Sequence, residues 1–468
     1  MAFSYGNEID MYRGNQNRNC GRYTQTLFGQ SIQENPVPVW TTNKEHKPFV
    51  VFQDPKSRKM IGISKDKLAY GTLIVGDPGG GKTNLINMPV NRLLATLGSN
   101  DVLIIFDPKG DYYREFWNVI PEKARIVIGA GQEYSTVTSY HNSFAEIMPR
   151  GNNGKLVYTT DSDADALELA ERLYTKMQSE TQPIFPAMAE QIIQGLLVYF
   201  MRTYWRTDQS KLNNKDFIRF VTGATNEEFK AIFELDYMED FHDCVNYISG
   251  KGNQTQGVNS YISSVLRKLF IGPFARNDPE KEFSMREIVT RPGSKVVFIE
   301  YDMRRGESLT PMYGLLLDSA LSNALGGRET DRKNVYFILD EMLLLPELKH
   351  LSNGLNFGRS QAVKILCGLQ NVSGLADAYG ETGMKRILAS FQNIITFRSS
   401  DHDTRQFLIE RMGSNYQNLS FSAQQQNINV QREGHTVEEW DIMSLGLGEA
   451  IVSLKDESPF FFTMPKYR

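Results

Sequence analysis

An apolar strand that runs directly into a glycine-rich sequence is the feature that most constrains this chain. Residues 70–83 read Tyr-Gly-Thr-Leu-Ile-Val-Gly-Asp-Pro-Gly-Gly-Gly-Lys-Thr, which fits the G-x-x-x-x-G-K-[ST] pattern of a P-loop. Glycines have no Cβ, so that successive main-chain N–H groups can turn toward one anion. The pattern therefore predicts a strand, a phosphate-binding loop and a helix, which begin an α/β nucleotide-binding core.

The loop residues have distinct expected roles. Lys82 is expected to reach the β- and γ-phosphates of ATP, and Thr83 to offer its hydroxyl to Mg²⁺ at the start of the helix. ATP and Mg²⁺ are thus the expected cofactors. A glycine-rich turn that matches by accident is the alternative, and the strand-before, helix-after context disfavours it. The predicted nucleotide-binding residues are Gly76, Asp77, Pro78, Gly79, Gly80, Gly81, Lys82, Thr83 and Asn84.

A second apolar run supplies the carboxylates that such a site needs. Residues 335–339 read Val-Tyr-Phe-Ile-Leu, as expected of a parallel strand buried on both faces, and Asp340-Glu341 follows. Asp340 is predicted to complete the Mg²⁺ shell, and Glu341 to polarise the attacking water as a catalytic residue. A strand that happens to end in two acids is the alternative, which the P-loop at 76–83 makes the lesser one.

The two half-sites are far apart in the chain (340 − 82 = 258 residues), so a sizeable insertion into the parallel core is expected. Apolar residues recur with a helical period from about residue 160, and strand-like runs return near residue 295. The predicted division is an extended N-terminal arm at 1–45, the first part of the nucleotide-binding core at 46–159, an inserted all-α domain at 160–288 and the second part of the core at 289–468.

Composition sets further limits. No stretch approaches 18 consecutive apolar residues, and no secretory signal pattern is present. The three cysteines, Cys20, Cys244 and Cys367, are too few and too scattered for a disulfide framework or a metal site, which favours a cytoplasmic location. The net charge of −4 gives no basic field, so nucleic-acid binding does not follow from charge.

Several motifs in order resemble those of one family. The P-loop is followed by a helix that contains Pro89, and Asp107-Pro-Lys-Gly-Asp111 ends the next strand. The C-terminal third carries an ordered run of Leu339-Asp-Glu-Met342, Gly358-Arg-Ser-Gln361, Lys364-Ile-Leu-Cys-Gly-Leu-Gln370, Ser400-Asp-His-Asp-Thr404 and Met412-Gly413. Together these resemble the type IV coupling proteins, the TraG/TraD group of conjugation and type IV secretion ATPases, in a soluble form without the two N-terminal membrane helices usual in the family.

The resemblance implies an ATPase with a RecA-like core and a mainly parallel sheet, working as a homo-oligomeric ring, a hexamer in the family. Its implied partners are single- or double-stranded DNA, relaxase or secretion adaptor and effector proteins, and membrane-embedded secretion subunits that tether it at the inner face of the bacterial cell membrane. Two alternatives stay open. One is a soluble HerA/FtsK-like DNA pump, and the other is a nucleotide-gated recruitment platform with little hydrolysis, against which Glu341 argues.

Other candidate residues follow from position. Gln370 comes directly after a core strand, where its amide is expected to reach the γ-phosphate or the attacking water; a glutamine that caps a helix is the alternative.

Arg359 and Arg398 are candidates for an arginine finger given to a neighbouring subunit, and a structural salt bridge is an equal alternative for each. Asp107, Lys109 and Asp111 end a strand at the functional edge of an α/β sheet. The histidines His141, His350 and His402 have no companions at metal-ligand spacing and are interpreted as structural.

Overall fold

The computed structural model describes residues 21–33, 48–174, 184–249, 252–326, 334–423 and 426–467. The strands in these ranges are β1 (Gly21–Gly29), β2 (Pro48–Gln53), β3 (Met60–Ser64), β4 (Thr72–Val75), β5 (Val102–Asp107), β6 (Arg125–Gly129), β7 (Tyr140–His141), β8 (Glu282–Phe283), β9 (Lys295–Glu300), β10 (Val335–Leu339), β11 (Val363–Leu369), β12 (Asn393–Thr396), β13 (Ser414–Ala423), β14 (Gln426–His435), β15 (Glu449–Ser453) and β16 (Phe460–Thr463).

The α-helices alternate with these strands at both ends of the chain and follow one another in its middle. They are α1 (Lys65–Leu68), α2 (Lys82–Thr96), α3 (Asp111–Phe116), α4 (Ser143–Ile147), α5 (Ser162–Tyr174), α6 (Ile184–Tyr204), α7 (Asn214–Gly223), α8 (Asn226–Phe233), α9 (Cys244–Ile248), α10 (Asn253–Leu269), α11 (Met285–Thr290), α12 (Gly306–Leu325), α13 (Leu351–Phe357), α14 (Leu375–Ser390), α15 (His402–Arg411) and α16 (Glu439–Met443).

The described residues form two compact units. The first is built from the described parts of 1–97, 336–343 and 352–468, and the second from those of 98–335 and 344–351. The α/β class expected from the sequence is confirmed. The four domain boundaries expected from the sequence stay a prediction.

The first unit is centred on strands in the order β16-β15-β12-β4-β11-β10. β4 pairs in parallel with both β11 and β12, while β15 and β16 run antiparallel at one side. Every residue of β4 and β11 is buried, because continuous apolar strands suit a sheet covered on both faces. The carboxyl ends of β4, β11 and β12 therefore meet at one edge of the sheet.

A smaller antiparallel sheet of this unit has the order β1-β13-β14. Gly29 of β1 pairs with Asn415 of β13, and the pairing continues to Gly21 and Ser422. The described part of the predicted N-terminal arm is thus an extended strand that adds to a long hairpin. The remainder of that arm, at 1–20 and 34–45, lies outside the described residues.

The second unit contains a parallel sheet, β5-β9-β6, and most of the helices. Within it, α6 packs against α5 and α10. The start of α8 is set by its capping residues, because Thr225 and Glu228 form a reciprocal capping box there. In the region predicted to be all-α, 160–288, the described residues are helical apart from turns and the two-residue strand β8.

One described helix, Ile184–Tyr204, has the length and mean hydropathy (1.4) of a membrane span, and 56% of its apolar window is buried inside the protein. This is a finding about length and composition alone. Cys244 and Cys367 are buried and free, whereas Cys20 lies outside the described residues.

Candidate active site

The P-loop follows β4 and ends in the first turn of α2, as the motif predicts. Gly81, which precedes the helix, has φ of +117°, a value that residues with a Cβ rarely adopt. The Lys82 ammonium folds over the loop and donates to the carbonyl oxygens of Gly76 at 2.6 Å and Asp77 at 3.2 Å. A cation and the helix N-terminus thus lie on the same loop, which is the arrangement that binds phosphate.

A hydroxyl and a carboxylate meet beside this loop. The Thr83 hydroxyl donates to Oδ2 of Asp340 over 3.2 Å, and Asp340 is buried at the end of β10. Both groups present hard oxygen ligands, which Mg²⁺ prefers together with water and substrate phosphates. The donor set therefore fits the cation that the sequence predicts, with Thr83 and Asp340 as the residues to hold it.

Glu341 and Gln370 form a second pair at the same edge. The Gln370 side-chain amide donates to Oε2 of Glu341 at 2.6 Å, while Oε1 is buried and has no hydrogen-bond partner among the described residues. Burial raises the pKa of Glu341, and the Gln370 hydrogen bond and the Lys82 charge partly oppose that rise. A carboxylate with a raised pKa and one unengaged oxygen is suited to accept a proton from water.

Strand order explains how distant residues reach one place. β4, β11 and β10 are neighbours in the sheet, and each is followed at its carboxyl end by one functional segment: the P-loop, Gln370 and Asp340-Glu341. A main-chain bond from Gly76 N–H to the Leu369 carbonyl, 3.2 Å long, ties the first two segments together. Ligand sites of open α/β sheets lie at this edge.

The structure also identifies two supporting residues that sequence reasoning missed. Phe397, which follows β12, packs under the loop, and a Cβ at Gly76 would lie 2.7 Å from its Cβ. Ser400 donates from its N–H (3.0 Å) and its hydroxyl (3.1 Å) to the Asp77 carboxylate. The sequence does carry one signal for a residue such as Ser400. Asp77 is an acid inside a phosphate-binding loop, and such a carboxylate needs a partner that holds it in place.

Comparison with known proteins places the chain in a family. A family model described as the type IV secretion-system coupling protein DNA-binding domain matches residues 58–460. The chain belongs to this family. The resemblance stated from the motifs is thereby confirmed.

Curated relatives of this coupling-protein chain include two VirD4 proteins. The type IV secretion system-coupling protein VirD4 of Bartonella henselae is 22% identical over 315 residues, which are 64% of this chain and 49% of that protein. The VirD4 protein of Bartonella quintana is 21% identical over the same shares. The chain spans about half the length of these curated relatives.

Solved structures of the conjugative coupling protein TrwB share the fold. An unbound form of TrwBdeltaN70 has a TM-score of 0.68 at 17% identity, covering 87% of each chain. TrwB in complex with ADP and Mg²⁺ has a TM-score of 0.64 at 17% identity, covering 87% of this chain and 88% of that one. The RecA-like P-loop fold expected from the sequence is confirmed.

The structure separates the two candidate arginines of this coupling-protein chain. Arg359 lies before β11, where its Nε donates to Asp66 at 3.2 Å and its guanidinium lies over the Tyr70 ring. Gln370 lies after the same strand, about 20 Å away for a strand of this length. Arg398 is exposed, and its carbonyl accepts a bond from the Asp77 N–H at 2.9 Å. Arg359 is thus remote from the P-loop of its own unit, and the finger role of either arginine stays a prediction.

Asp107, Lys109 and Asp111 lie in the second unit. The buried Asp107 carboxylate accepts main-chain bonds from Lys109, Asp111 and Tyr113, which shapes the turn after β5. Glu300 pairs with Asp107 in the register of β5 and β9 and accepts a 2.5 Å bond from the Tyr134 hydroxyl. Burial, with the nearby Asp107 charge, raises the pKa of Glu300 to about 9, so that it is protonated at neutral pH.

Two of the histidines interpreted as structural, His141 and His350, lie beside carboxylate side chains. His141 is buried and bonds to Glu146 at 3.1 Å. The His350 ring lies 3.4 Å from Asp318 and 3.8 Å from Glu168, a set of three groups with metal-ligating atoms. Arg172 forms ion pairs with both of these carboxylates, so its guanidinium already supplies the positive charge there.

Proposed function

We propose that this chain is a Mg²⁺-dependent ATPase that couples a DNA or protein substrate to a type IV secretion or conjugation channel. The observation that carries the proposal is the meeting of Lys82, Thr83 and Asp340 at the P-loop with Glu341 and Gln370 beside them. Membership of the coupling-protein family supports type IV secretion or conjugation as the process that the ATPase serves. TrwB structures with ADP and Mg²⁺ and with an ATP analogue support the choice of cofactors.

Each residue then has one task in hydrolysis. Main-chain N–H groups of the P-loop and the Lys82 ammonium bind the phosphates and stabilise the charge that develops on them. Thr83 and Asp340 would hold Mg²⁺, which would supply positive charge to stabilise the phosphates. Glu341 accepts the proton of the attacking water, and Gln370 fixes the carboxylate that does so.

The proposal extends to assembly and partners. The chain works as a ring, a hexamer, in which Arg359 or Arg398 is supplied to the site of a neighbouring subunit, where a guanidinium stabilises the transition-state charge. Arg359 is 57% exposed in its side chain, which leaves its guanidinium accessible to a neighbour. DNA, relaxase or adaptor proteins and membrane-embedded secretion subunits are the partners, and the chain acts in the cytoplasm at the inner face of the membrane.

The proposed function is tested by ATP turnover at high protein concentration, with and without single-stranded DNA. The Glu341→Gln protein serves as the blank, because it lacks the proton acceptor but keeps the phosphate-binding loop. Turnover above the blank that DNA stimulates several-fold supports a DNA-coupled motor. Turnover that DNA leaves unchanged supports protein as the substrate, and turnover equal to the blank contradicts the ATPase proposal.

A further inference from the structure

A segment distant in sequence is held against the first turn of the P-loop helix. The Asn84 side chain donates to the Pro465 carbonyl at 2.9 Å and accepts from the Tyr467 N–H at 2.8 Å. One amide group thus binds the main chain of the segment at two points, directly after the residue expected to hold Mg²⁺. The Tyr467 side chain is half-buried there.

A hydrogen bond to Gly448, which lies close to the loop, also holds this segment. The Met464 N–H donates to the Gly448 carbonyl at 2.8 Å. The Cα of Gly448 lies 3.9 Å from the position that a Cβ at Gly81 would occupy. The segment 464–467 therefore lies along the P-loop and α2, in the same unit.

The order of the strands indicates which way a bound nucleotide lies across the edge of the sheet. Asp340, Glu341 and Gln370, which the proposed function assigns to Mg²⁺ and to activation of the attacking water, follow β10 and β11 on one side of β4. The opposite end of a nucleotide, its ribose and base, must then extend toward β12, β15 and β16 on the other side. β16 lies three strands from β4, about 14 Å at the usual strand spacing, and the segment 464–467 follows it.

We propose that Asn84 and the segment Pro465–Tyr467 form the wall that binds the nucleoside part of ATP, with the Tyr467 ring stacked on the base. This inference rests on the ATP site of the proposed function and adds its nucleoside-binding half. Every base offers a flat π-face to an aromatic ring. The site is therefore expected to bind adenine and guanine nucleotides with similar affinity. Stacking on the base would strengthen binding without selecting one base over another.

Titration calorimetry with Mg²⁺ and two ligands tests the wall separately from the loop. ATP contacts both, whereas inorganic triphosphate contacts the P-loop alone. Tyr467→Ala is expected to weaken ATP binding about tenfold, as loss of one stacked base contact does, and to leave triphosphate binding unchanged. Tyr467→Phe keeps the ring and should bind ATP as the wild type does. Tyr416→Ala, a change at an exposed tyrosine of β13, is the matched control.

Asn84→Ala provides a second variant, since it removes both bonds to the segment and keeps the main-chain N–H of the helix turn. It should weaken ATP binding while triphosphate binding persists. Unchanged ATP affinity in Tyr467→Ala, or an equal loss for both ligands, overturns the proposal. A wild-type protein that binds neither ligand, or a Lys82→Ala protein that binds both normally, instead overturns the proposed ATP site itself.

Discussion

The side-chain amide of Gln370 holds one oxygen of the Glu341 carboxylate through a 2.6 Å hydrogen bond. The second oxygen of Glu341 is buried and has no partner among the described residues. A carboxylate fixed at one oxygen and open at the other can face a single proton source in one orientation. This pair therefore links strand β11 to the catalytic function proposed for the end of β10.

Gln370→Ala should lower kcat by about tenfold or more, because general-base catalysis by a positioned group contributes at least that much, and should leave ATP affinity unchanged. The Gln370 bond lowers the pKa of Glu341, which burial has raised. Glu341 acts as a base only when ionised, so removal of the bond should move the acidic limb of the pH–rate profile to higher pH. Steady-state rates across pH check this, with Gln392→Ala, an exposed glutamine change, as control. An unmoved limb would contradict the pairing.

Ser400→Ala should weaken ATP binding. The Ser400 hydroxyl holds the Asp77 carboxylate, and its loss leaves that negative charge freer to approach the phosphates. The expected change is about fivefold, from roughly 1 kcal/mol for one hydrogen bond, and Ser400→Ala combined with Asp77→Asn should restore binding. Calorimetric ATP titration gives the measurement, with the exposed Ser249→Ala as control. Failure of the double variant to recover would argue against the charge explanation.

Asp318→Ala should destabilise the second unit. Asp318 is buried, forms an ion pair with the buried Arg172, and accepts main-chain bonds from Lys349 and His350. The change leaves the buried Arg172 guanidinium without its buried carboxylate partner, and breaking a buried ion pair costs about 3–5 kcal/mol. Thermal unfolding followed by circular dichroism should show a transition at lower temperature.

The matched change is Glu168→Ala, which removes a more exposed partner of the same Arg172 guanidinium, with a side chain 40% accessible. It should cost well under half as much, because exposed ion pairs contribute little. Equal destabilisation by the two variants would contradict the role assigned to burial.

The parts of the site that form continuous motifs could be predicted from the sequence. The P-loop and the Asp340-Glu341 pair are local patterns in which strand, turn and chemistry lie within a few residues. Ser400 and Asn84 acquire their roles from residues that are distant in the sequence. Ser400 contacts Asp77, and Asn84 contacts Pro465. Such contacts depend on which strand lies beside which, and a single sequence does not define that order.

Arg359 shows a related limit. Its motif predicts a functional arginine, but only the fold shows that it precedes β11 while Gln370 follows the same strand. The strand length, about 20 Å, separates two residues that are close in sequence. The closeness of Arg359 and Gln370 in the sequence therefore indicates that both flank the same strand. It does not indicate that they lie at opposite ends of that strand.

The measurement that tests the central claim most directly compares ATP binding and turnover in the wild-type, Glu341→Gln and Lys82→Ala proteins under the same conditions. The account predicts that Lys82→Ala abolishes nucleotide binding, and that Glu341→Gln binds ATP as the wild type does but turns it over at least a hundredfold more slowly. Normal turnover in the Glu341→Gln protein would contradict the assignment of the catalytic site.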